Sequence, residues 1–256
     1  MSRLRIIDLS VPTEESPSEP LGLKVVHLDH KSSAPLMMQF FGCKEEDLPG
    51  GLGWANDEAT LISHAGTHVD APWHYYPTSG GQRARTIDEL PLEWFFGPGV
   101  VLDFRHKEQG AKLQIEDFRE ALRKIDYALK PGDIVLVQTG ADKRWGQRDY
   151  FDAGCGVSAG ATSWLIDKGI KVMGIDAWGW DRPFWAIRDE FQRSADPRVI
   201  WEAHRVGMEK EYCHIEKLAN LDLLPRPFGF TVACFPVKLT GGSAGWCRAV
   251  AILGDD

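Results

Sequence analysis

Three of the eight histidines and one aspartate fall within eleven residues, and this string limits the shapes that its backbone can adopt. The four side chains are His64, His68, Asp70 and His74, in the string HAGTHVDAPWH. A helix would turn Asp70 roughly 200° away from the two preceding histidines, and Gly66 and Pro72 also disfavour a helix. A straight strand would hold His64 and His68 about 13 Å apart, at about 3.3 Å per residue. We therefore predict an extended segment that bends at residues 65–67, where Gly66 tolerates unusual backbone angles.

The four side chains indicate a transition-metal or proton-transfer site. Imidazole and carboxylate together suit zinc, manganese or iron better than calcium or magnesium. The alternative is a set of surface or core histidines that binds no ion, but unrelated spacing seldom produces H-x3-H-x-D-x3-H.

The string resembles the H-x-G-T-H-x-D-x-P-x-H signature of the cyclase-like metal-dependent hydrolases. That family includes bacterial kynurenine formamidases, isatin hydrolases and trans-dienelactone hydrolases. The resemblance extends over most of the chain, in the segments 8–10, 86–93, 99–103, 131–133, 156–158, 174–176 and 236–239.

The resemblance implies a role for each candidate residue. His64, His68 and Asp70 would bind a first metal ion, and His74 would act as the acid/base. His204 and Glu216, twelve residues apart, would bind a second ion that Asp70 bridges to the first. The cofactor would be one or two divalent ions, Zn or Mn. An exposed helix histidine and a solvated glutamate are the alternative for the second pair, and His214 lies nearby without the family spacing.

The activity that the resemblance implies is opening of a small cyclic amide, imide or lactone, or cleavage of an aryl formamide, by metal-activated water. The alternatives are a kynurenine formamidase proper, a metal-dependent lyase or isomerase acting through an enolate, and a metal-binding protein without activity. Two departures weaken the formamidase alternative. Residues 11–17 contain no tryptophan where those enzymes carry one that contacts substrate, and the chain is longer than those enzymes.

Composition sets outer limits on the class of protein. With 256 residues and 43% hydrophobic content, the chain suits one domain spanning residues 1–256. A net charge of −8 predicts no nucleic-acid partner. No apolar run reaches the roughly 18 to 20 residues needed to cross a membrane, and the N-terminus lacks a signal-peptide core. The five scattered cysteines indicate no disulfide framework. We expect a cytoplasmic homodimer or homotetramer that acts on a small molecule and has no membrane partner.

Periodicity predicts an α/β fold, and the resemblance implies a swivelling β/β/α fold with a mixed sheet. The predicted strands are 4–9, 99–104, 134–138, 171–175, 230–235 and 247–253. The predicted helices are 115–129 and a second that Ser158 caps and that runs through Lys168. Residues 14–53, rich in proline, glycine and acidic side chains, are predicted to be long loops.

Two further features have more than one interpretation. The segments 156–160 and 241–245 match the G-x-S-x-G pattern of serine hydrolases, but neither has the strand before it and the helix after it that the pattern requires. Four of the ten tryptophans cluster within residues 178–201. They could form core or an oligomer interface, which we favour, or an aromatic substrate pocket. The clustered residues are Trp178, Trp180, Trp185 and Trp201.

Overall fold

The computed structural model describes residues 4–254, which form strands and helices around one large sheet. The strands are β1 (Arg5–Asp8), β2 (Leu23–Leu28), β3 (Asn56–Leu61), β4 (His68–Asp70), β5 (Thr78–Ser79), β6 (Gln82–Arg83), β7 (Phe96–Asp103), β8 (Lys112–Leu113), β9 (Ile134–Gln138), β10 (Gly156–Val157), β11 (Val172–Ile175), β12 (Cys213–Glu216), β13 (Phe228–Ala233), β14 (Ala244–Trp246) and β15 (Val250–Leu253). The helices are α1 (His30–Phe41), α2 (Pro72–Tyr75), α3 (Ile115–Lys124), α4 (Ala159–Asp167), α5 (Phe184–Ser194) and α6 (Glu202–Val206).

Within the described residues, nine strands form the main sheet in the order β1-β15-β13-β7-β9-β11-β12-β4-β14. The central strands β7, β9, β11 and β12 are parallel, and helices α3 to α6 lie in the connections between them. The outer strands pair antiparallel on both sides. All five residues of β9 are buried, as expected for a strand that is covered on both faces.

Alternating side chains of the central strands pack into two cores, one on each face of the sheet. Val135 and Val137 join the core that contains Phe118 of α3 and Leu165 of α4. Ile134 and Leu136, the alternate residues of β9, join a second core together with Val69 of β4 and Ile215 of β12. Because strand side chains alternate between faces, the residues that flank Val69 and Ile215 point towards the side of the sheet where the helices pack.

The α/β class with a mixed sheet is confirmed, and several predicted elements occur close to their expected bounds. Strand 134–138 matches β9, and Ser158 caps α4 by accepting a hydrogen bond from the Ala161 N–H at 3.2 Å. Helix α3 ends at Lys124 instead of residue 129, since Asp126 adopts a left-handed backbone with φ of 51°. The segment predicted as strand 247–253 contains only β15 at its end. None of the helices within residues 4–254 has the length and apolarity needed to cross a bilayer.

The prediction of long loops over residues 14–53 is wrong. This segment contains β2, which pairs with β3, and the twelve-residue helix α1. Asp29 caps α1 by accepting hydrogen bonds from the N–H groups of Lys31 and Ser32. Gly42 ends the helix with a left-handed φ of 61°. The glycine and the acidic residue that suggested a loop therefore mark the two ends of a helix.

Candidate metal centre

Two short strands place four potential ligands on one face of the sheet. His68 and Asp70 are alternate residues of β4, so both side chains point the same way. In the antiparallel neighbour β12, Glu216 lies opposite His68 and His214 lies opposite Asp70. Side chains directly opposite each other in such a pair have Cβ atoms about 4.5–5.5 Å apart. The ladder thus brings two histidines and two carboxylates together, all of them buried.

His214 is a residue of this cluster that the sequence interpretation set aside for lacking the family spacing. Its Nε2 lies 2.9 Å from Asp70 Oδ2 and 3.1 Å from Glu216 Oε1. Its Nδ1 is 3.2 Å from the hydroxyl of Tyr75. The signal was the alternation His214-Ile215-Glu216, because residues two apart in a strand share a face.

His64 reaches the cluster because the chain turns sharply just before β4. Gly66 has a left-handed φ of 59°, and the bend falls at residues 65–67 as the spacing predicted. His64 Nδ1 lies 2.8 Å from Asp70 Oδ1. The His64 and His68 ring centroids are 5.0 Å apart, far closer than a straight strand would allow.

His74 and His204 join the cluster from two short helices, α2 and α6. His74 lies in the one-turn helix α2, with its Nε2 3.7 Å from Asp70 Oδ2. His204, on α6, directs its Nε2 towards Asp70 Oδ2 and Glu216 Oε1, each 3.9 Å away. The other ring nitrogen of His204, Nδ1, lies 2.6 Å from Oδ2 of Asp181. A carboxylate behind a histidine in this way is typical of metal ligands, since it fixes the ring orientation.

The donor set fits a divalent cation. Within residues 4–254, His68 Nε2 and Asp70 Oδ1 are buried and make no hydrogen bond of acceptable geometry, although they lie 3.2 Å from each other and His64 Nδ1 lies 2.8 Å from Asp70 Oδ1. The His68 ring is oriented by the contact of its Nδ1 with the carbonyl oxygen of Gly66, at 2.9 Å. Buried polar atoms normally have partners, and a cation between these two atoms would satisfy both. Two groups of residues could each hold a cation, because within each group the ligand atoms lie within 4.8 Å of one another, and Asp70 belongs to both. The first group is Asp70, His204, His214 and Glu216. The second is His64, Asp70 and His74.

The protein's own groups hold the carboxylates ionised and His74 neutral. Burial opposes ionisation of Asp70, but the nearby His74 and His64 imidazoles and a hydrogen bond from His214 keep its pKa well below the usual range. Burial lowers the pKa of His74 to about 4, against the opposing attraction of Asp70. A cation bound among these residues would lower the His74 pKa further by repulsion. His74 is therefore a neutral base near pH 7.

An apolar cavity of about 400 Å³ opens onto the cluster. His64, His74, His204 and Glu216 line its floor. Its walls include four aromatic side chains whose ring centroids lie 4.7–6.5 Å from their neighbours, Phe151, Trp178, Phe184 and Trp201. Trp201 stacks on the His204 ring at 4.5 Å and has a left-handed φ of 51°, which is unusual for a bulky residue.

The clustered tryptophans have different surroundings. Trp178 and Trp201 line the cavity. Trp180 is fully buried in the core on the helix side, and its indole N–H donates to the Thr162 hydroxyl at 3.0 Å. The indole N–H of Trp185 donates to the Asp152 carbonyl oxygen at 3.2 Å. The cluster is thus partly pocket and partly core, and the interface interpretation stays a prediction.

Ser243, from the second G-x-S-x-G segment, lies beside the cluster. Its hydroxyl oxygen is 3.1 Å from Nε2 of His64, whose Nδ1 faces Asp70. The order serine, histidine, aspartate has the geometry of a hydrolase triad. Ser243 is absent, however, from the described residues that line the cavity, and the segment leads into strand β14, as expected, and not into a helix.

Comparisons with known proteins relate the chain to one family. A family model described as "Putative cyclase" matches residues 7–182. The kynurenine formamidase of Salinibacter ruber is 26% identical over 192 residues, covering 74% of this chain and 76% of that protein. The kynurenine formamidase of Bacillus cereus is 23% identical over 133 residues, and the match covers 49% of this chain and only 56% of that relative's length.

Solved structures share the fold over almost the whole chain. An isatin hydrolase bound to the product analogue thioisatinate has a TM-score of 0.77 at 20% identity, covering 98% of this chain and 93% of that one. Isatin hydrolase A from Labrenzia aggregata, bound to benzyl benzoate, has a TM-score of 0.74 at 22% identity, with coverage of 98% and 94%. At these identities the likeness concerns the fold. The match of the family model over more than half of the sequence shows that the chain belongs to the cyclase family.

Proposed function

We propose that this chain is a metal-dependent hydrolase that opens small, uncharged cyclic amides or imides. The observation that carries the proposal is the buried pair His68 Nε2 and Asp70 Oδ1, 3.2 Å apart without hydrogen-bond geometry, beside the imidazole and carboxylate groups at the floor of an apolar cavity. The names of the relatives support the reaction class, since both kynurenine formamidases and isatin hydrolases cleave amide bonds.

Six residues have a proposed role at the site, five as metal ligands and His74 as the acid/base. His64, His68 and Asp70 would hold a first divalent ion, Zn or Mn, and His204 and Glu216 a second, with Asp70 shared. A bound ion lowers the pKa of water towards about 7 and polarises a carbonyl oxygen. His74, neutral near pH 7 and lining the cavity, would accept the proton of the attacking water at Nε2 and return it to the leaving nitrogen.

The charges around the cavity favour a neutral substrate. Asp181 contacts His204 at 2.6 Å, Arg182 pairs with Glu190, and Lys217 pairs with Glu19 at 2.8 Å. These lining charges already have partners within the protein, while the walls offer aromatic rings. N-formylkynurenine carries an ammonium and a carboxylate, both of which would lose hydration here without a matching charge. A flat neutral ring fits better, which is why we rank cyclic amides above N-formylkynurenine.

A substrate panel tests the proposal. We expect purified protein to contain zinc or manganese by elemental analysis, or to acquire it on addition. The loaded protein should release acid in a pH-stat assay from isatin and cyclic imides, with a higher kcat/KM than for N-formylkynurenine. A chelator should abolish this activity. Protein that binds no metal, or that hydrolyses none of these compounds or the unsaturated lactones, would contradict the proposal, and a preference for N-formylkynurenine would restore the formamidase alternative.

A serine-nucleophile hydrolase is the second candidate, and the Ser243–His64–Asp70 geometry is the observation in its favour. In that mechanism the serine hydroxyl attacks the carbonyl carbon with the histidine as base. The two candidates respond oppositely to inhibitors. A serine-directed sulfonyl fluoride should inactivate the second and spare the first, whereas a chelator should do the reverse.

The aromatic wall predicts a change in substrate affinity. Phe184 is 40% exposed and contacts the rings of Phe151 and Trp178 at the cavity. We expect Phe184→Ala to raise KM for isatin by about 10-fold, with kcat nearly unchanged, because a wall residue contributes binding that is equal in ground and transition states. The control is Phe191→Ala, which removes a ring of similar exposure, 38%, from the same helix outside the cavity lining. Equal effects of the two substitutions would contradict a role for Phe184 in substrate binding.

A further inference from the structure

Lys217 and Glu19 form a buried ion pair next to the candidate ligands. Their side chains are 1% and 3% exposed, and the lysine Nζ lies 2.9 Å and 2.8 Å from the two carboxylate oxygens. Removing two charges from water is costly, and an apolar pair of similar volume is often at least as stable. Stability alone therefore gives little reason to keep this pair.

Both members of the pair also hold the turn that carries His64. Lys217 Nζ donates to the carbonyl oxygen of His64 at 2.9 Å. Glu19 Oε1 accepts from the N–H of Gly66 at 2.7 Å. The Thr67 hydroxyl donates to the Lys217 carbonyl oxygen at 2.6 Å. Three of the four residues 64–67 before β4 are thus tied to one residue pair.

The backbone of Lys217 is fixed as firmly as its side chain. It adopts a left-handed φ of 58°, which an ordinary residue rarely does, directly after Glu216. Its N–H donates to the Ala177 carbonyl oxygen at 3.0 Å. Its ammonium lies 4.9 Å from the ring centroid of Trp178, a wall of the cavity. Such a backbone persists only where its surroundings enforce it.

The candidate ligands differ in how they are supported. His68 and Asp70 are set by hydrogen-bonded strand pairing on both sides of β4. His64 lies in the turn outside that ladder, and its side chain is 21% exposed. A ligand on a turn needs another constraint if it is to meet an ion with the strand ligands.

We propose that the Lys217–Glu19 pair is a positioning device that fixes His64 against Asp70 for metal binding. The pair would also hold the segment around Glu19, whose neighbours Pro20 and Leu21 line the cavity, over the site. This inference rests on the proposed function, because it assumes that His64 is a metal ligand. It adds two residues that act through His64 without touching the metal.

Three variants separate positioning from stability. Lys217→Met and Glu19→Gln each leave one buried charge without its partner, so both should lower the Tm of the metal-free protein. The double variant has neither charge and should regain most of the Tm. Lys217→Met and the double variant should bind zinc about 10- to 100-fold more weakly than the wild type, the usual effect of losing a partner that orients a ligand. Glu19→Gln should lose less zinc affinity, because it keeps the lysine and an oxygen that accepts from the Gly66 N–H. In the two variants that lack the lysine, no ammonium reaches the His64 carbonyl oxygen.

Differential scanning calorimetry of the metal-free chain gives Tm, and competition with a chromophoric chelator gives the zinc affinity. Lys107→Met is the control, because Lys107 pairs with Asp117 away from the ligands and should leave zinc affinity unchanged. A double variant with recovered Tm and wild-type zinc affinity would overturn the proposal. So would zinc affinity that follows Tm in every variant, the control included. Wild-type protein that binds zinc tightly and hydrolyses nothing would refute the proposed function and leave this test intact.

Discussion

Replacement of His74 by alanine is expected to lower kcat for a cyclic amide by about 10²- to 10⁴-fold, the range typical of general acid–base catalysis. The His74 imidazole lines the cavity, and its Nε2 lies 3.7 Å from Asp70 Oδ2. We expect the variant to retain its metal, as determined by elemental analysis beside the steady-state kinetics. His27→Ala is the matched control, because His27 is 78% exposed and pairs with Asp57 outside the cavity lining.

The pH dependence of this effect tests the state of the imidazole. Because burial lowers the pKa of His74 to about 4, the wild-type imidazole stays neutral through the neutral range. The ratio of wild-type to His74→Ala kcat/KM should therefore be constant between about pH 5.5 and 8. A ratio that falls as the pH drops through about 6.5 would indicate an ordinary imidazole. Loss of the metal together with activity would make His74 a ligand, and full activity in the variant would remove it from the mechanism.

The part of the site that could be predicted is the part that is local in sequence. Four of the candidate site residues fall within eleven positions. Neither a regular helix nor a straight strand can bring these four side chains to one site, so the backbone has to bend. Gly66 was the residue able to supply that bend, and the structure has its left-handed φ at this position. In the same way, the uninterrupted apolar run of β9 made a buried parallel strand easy to recognise.

Strand β12 was missed because its functional face is polar. Its four residues, CHIE, alternate between buried apolar side chains on one face and His214 and Glu216 on the other. Reading for apolar periodicity finds few signals in so short a segment. Family spacing identified Glu216 but set His214 aside, and only the ladder with β4 brings both side chains opposite Asp70 and His68.

Contacts between distant segments could not be predicted from one sequence. Lys217 and Glu19 are 198 residues apart, and Ser243 and His64 are 179 apart. No local pattern links such residues, because their proximity depends on how the whole sheet is ordered. Lysine is rarely buried unless it is paired, so nothing in the local sequence marks Lys217 as a buried residue.

Replacement of Glu216 by glutamine is the change that distinguishes a one-ion from a two-ion centre. Glu216 Oε2 lies 3.6 Å from His68 Nε2, and its Oε1 lies 3.9 Å from His204 Nε2, so the carboxylate faces ligands of both proposed ions. Glutamine keeps the shape of the side chain and can still accept the hydrogen bond that the backbone N–H of Trp180 donates to Oε1 at 2.9 Å. It removes the negative charge, however, which a second divalent ion beside Asp70 requires.

We expect the Glu216→Gln variant to bind one ion where the wild type binds two, and to lose turnover. Loss of a residue that only orients a ligand typically weakens metal affinity by about 10- to 100-fold. Because Glu216 would bind the ion directly, its replacement should weaken the affinity for the second ion by more than that. Elemental analysis and zinc titration measure the stoichiometry. Glu211→Gln is the control, since Glu211 pairs with Arg85 and precedes the same strand. Unchanged stoichiometry and turnover would contradict a second site formed by His204 and Glu216, the His–Glu pair whose twelve-residue spacing suggested it.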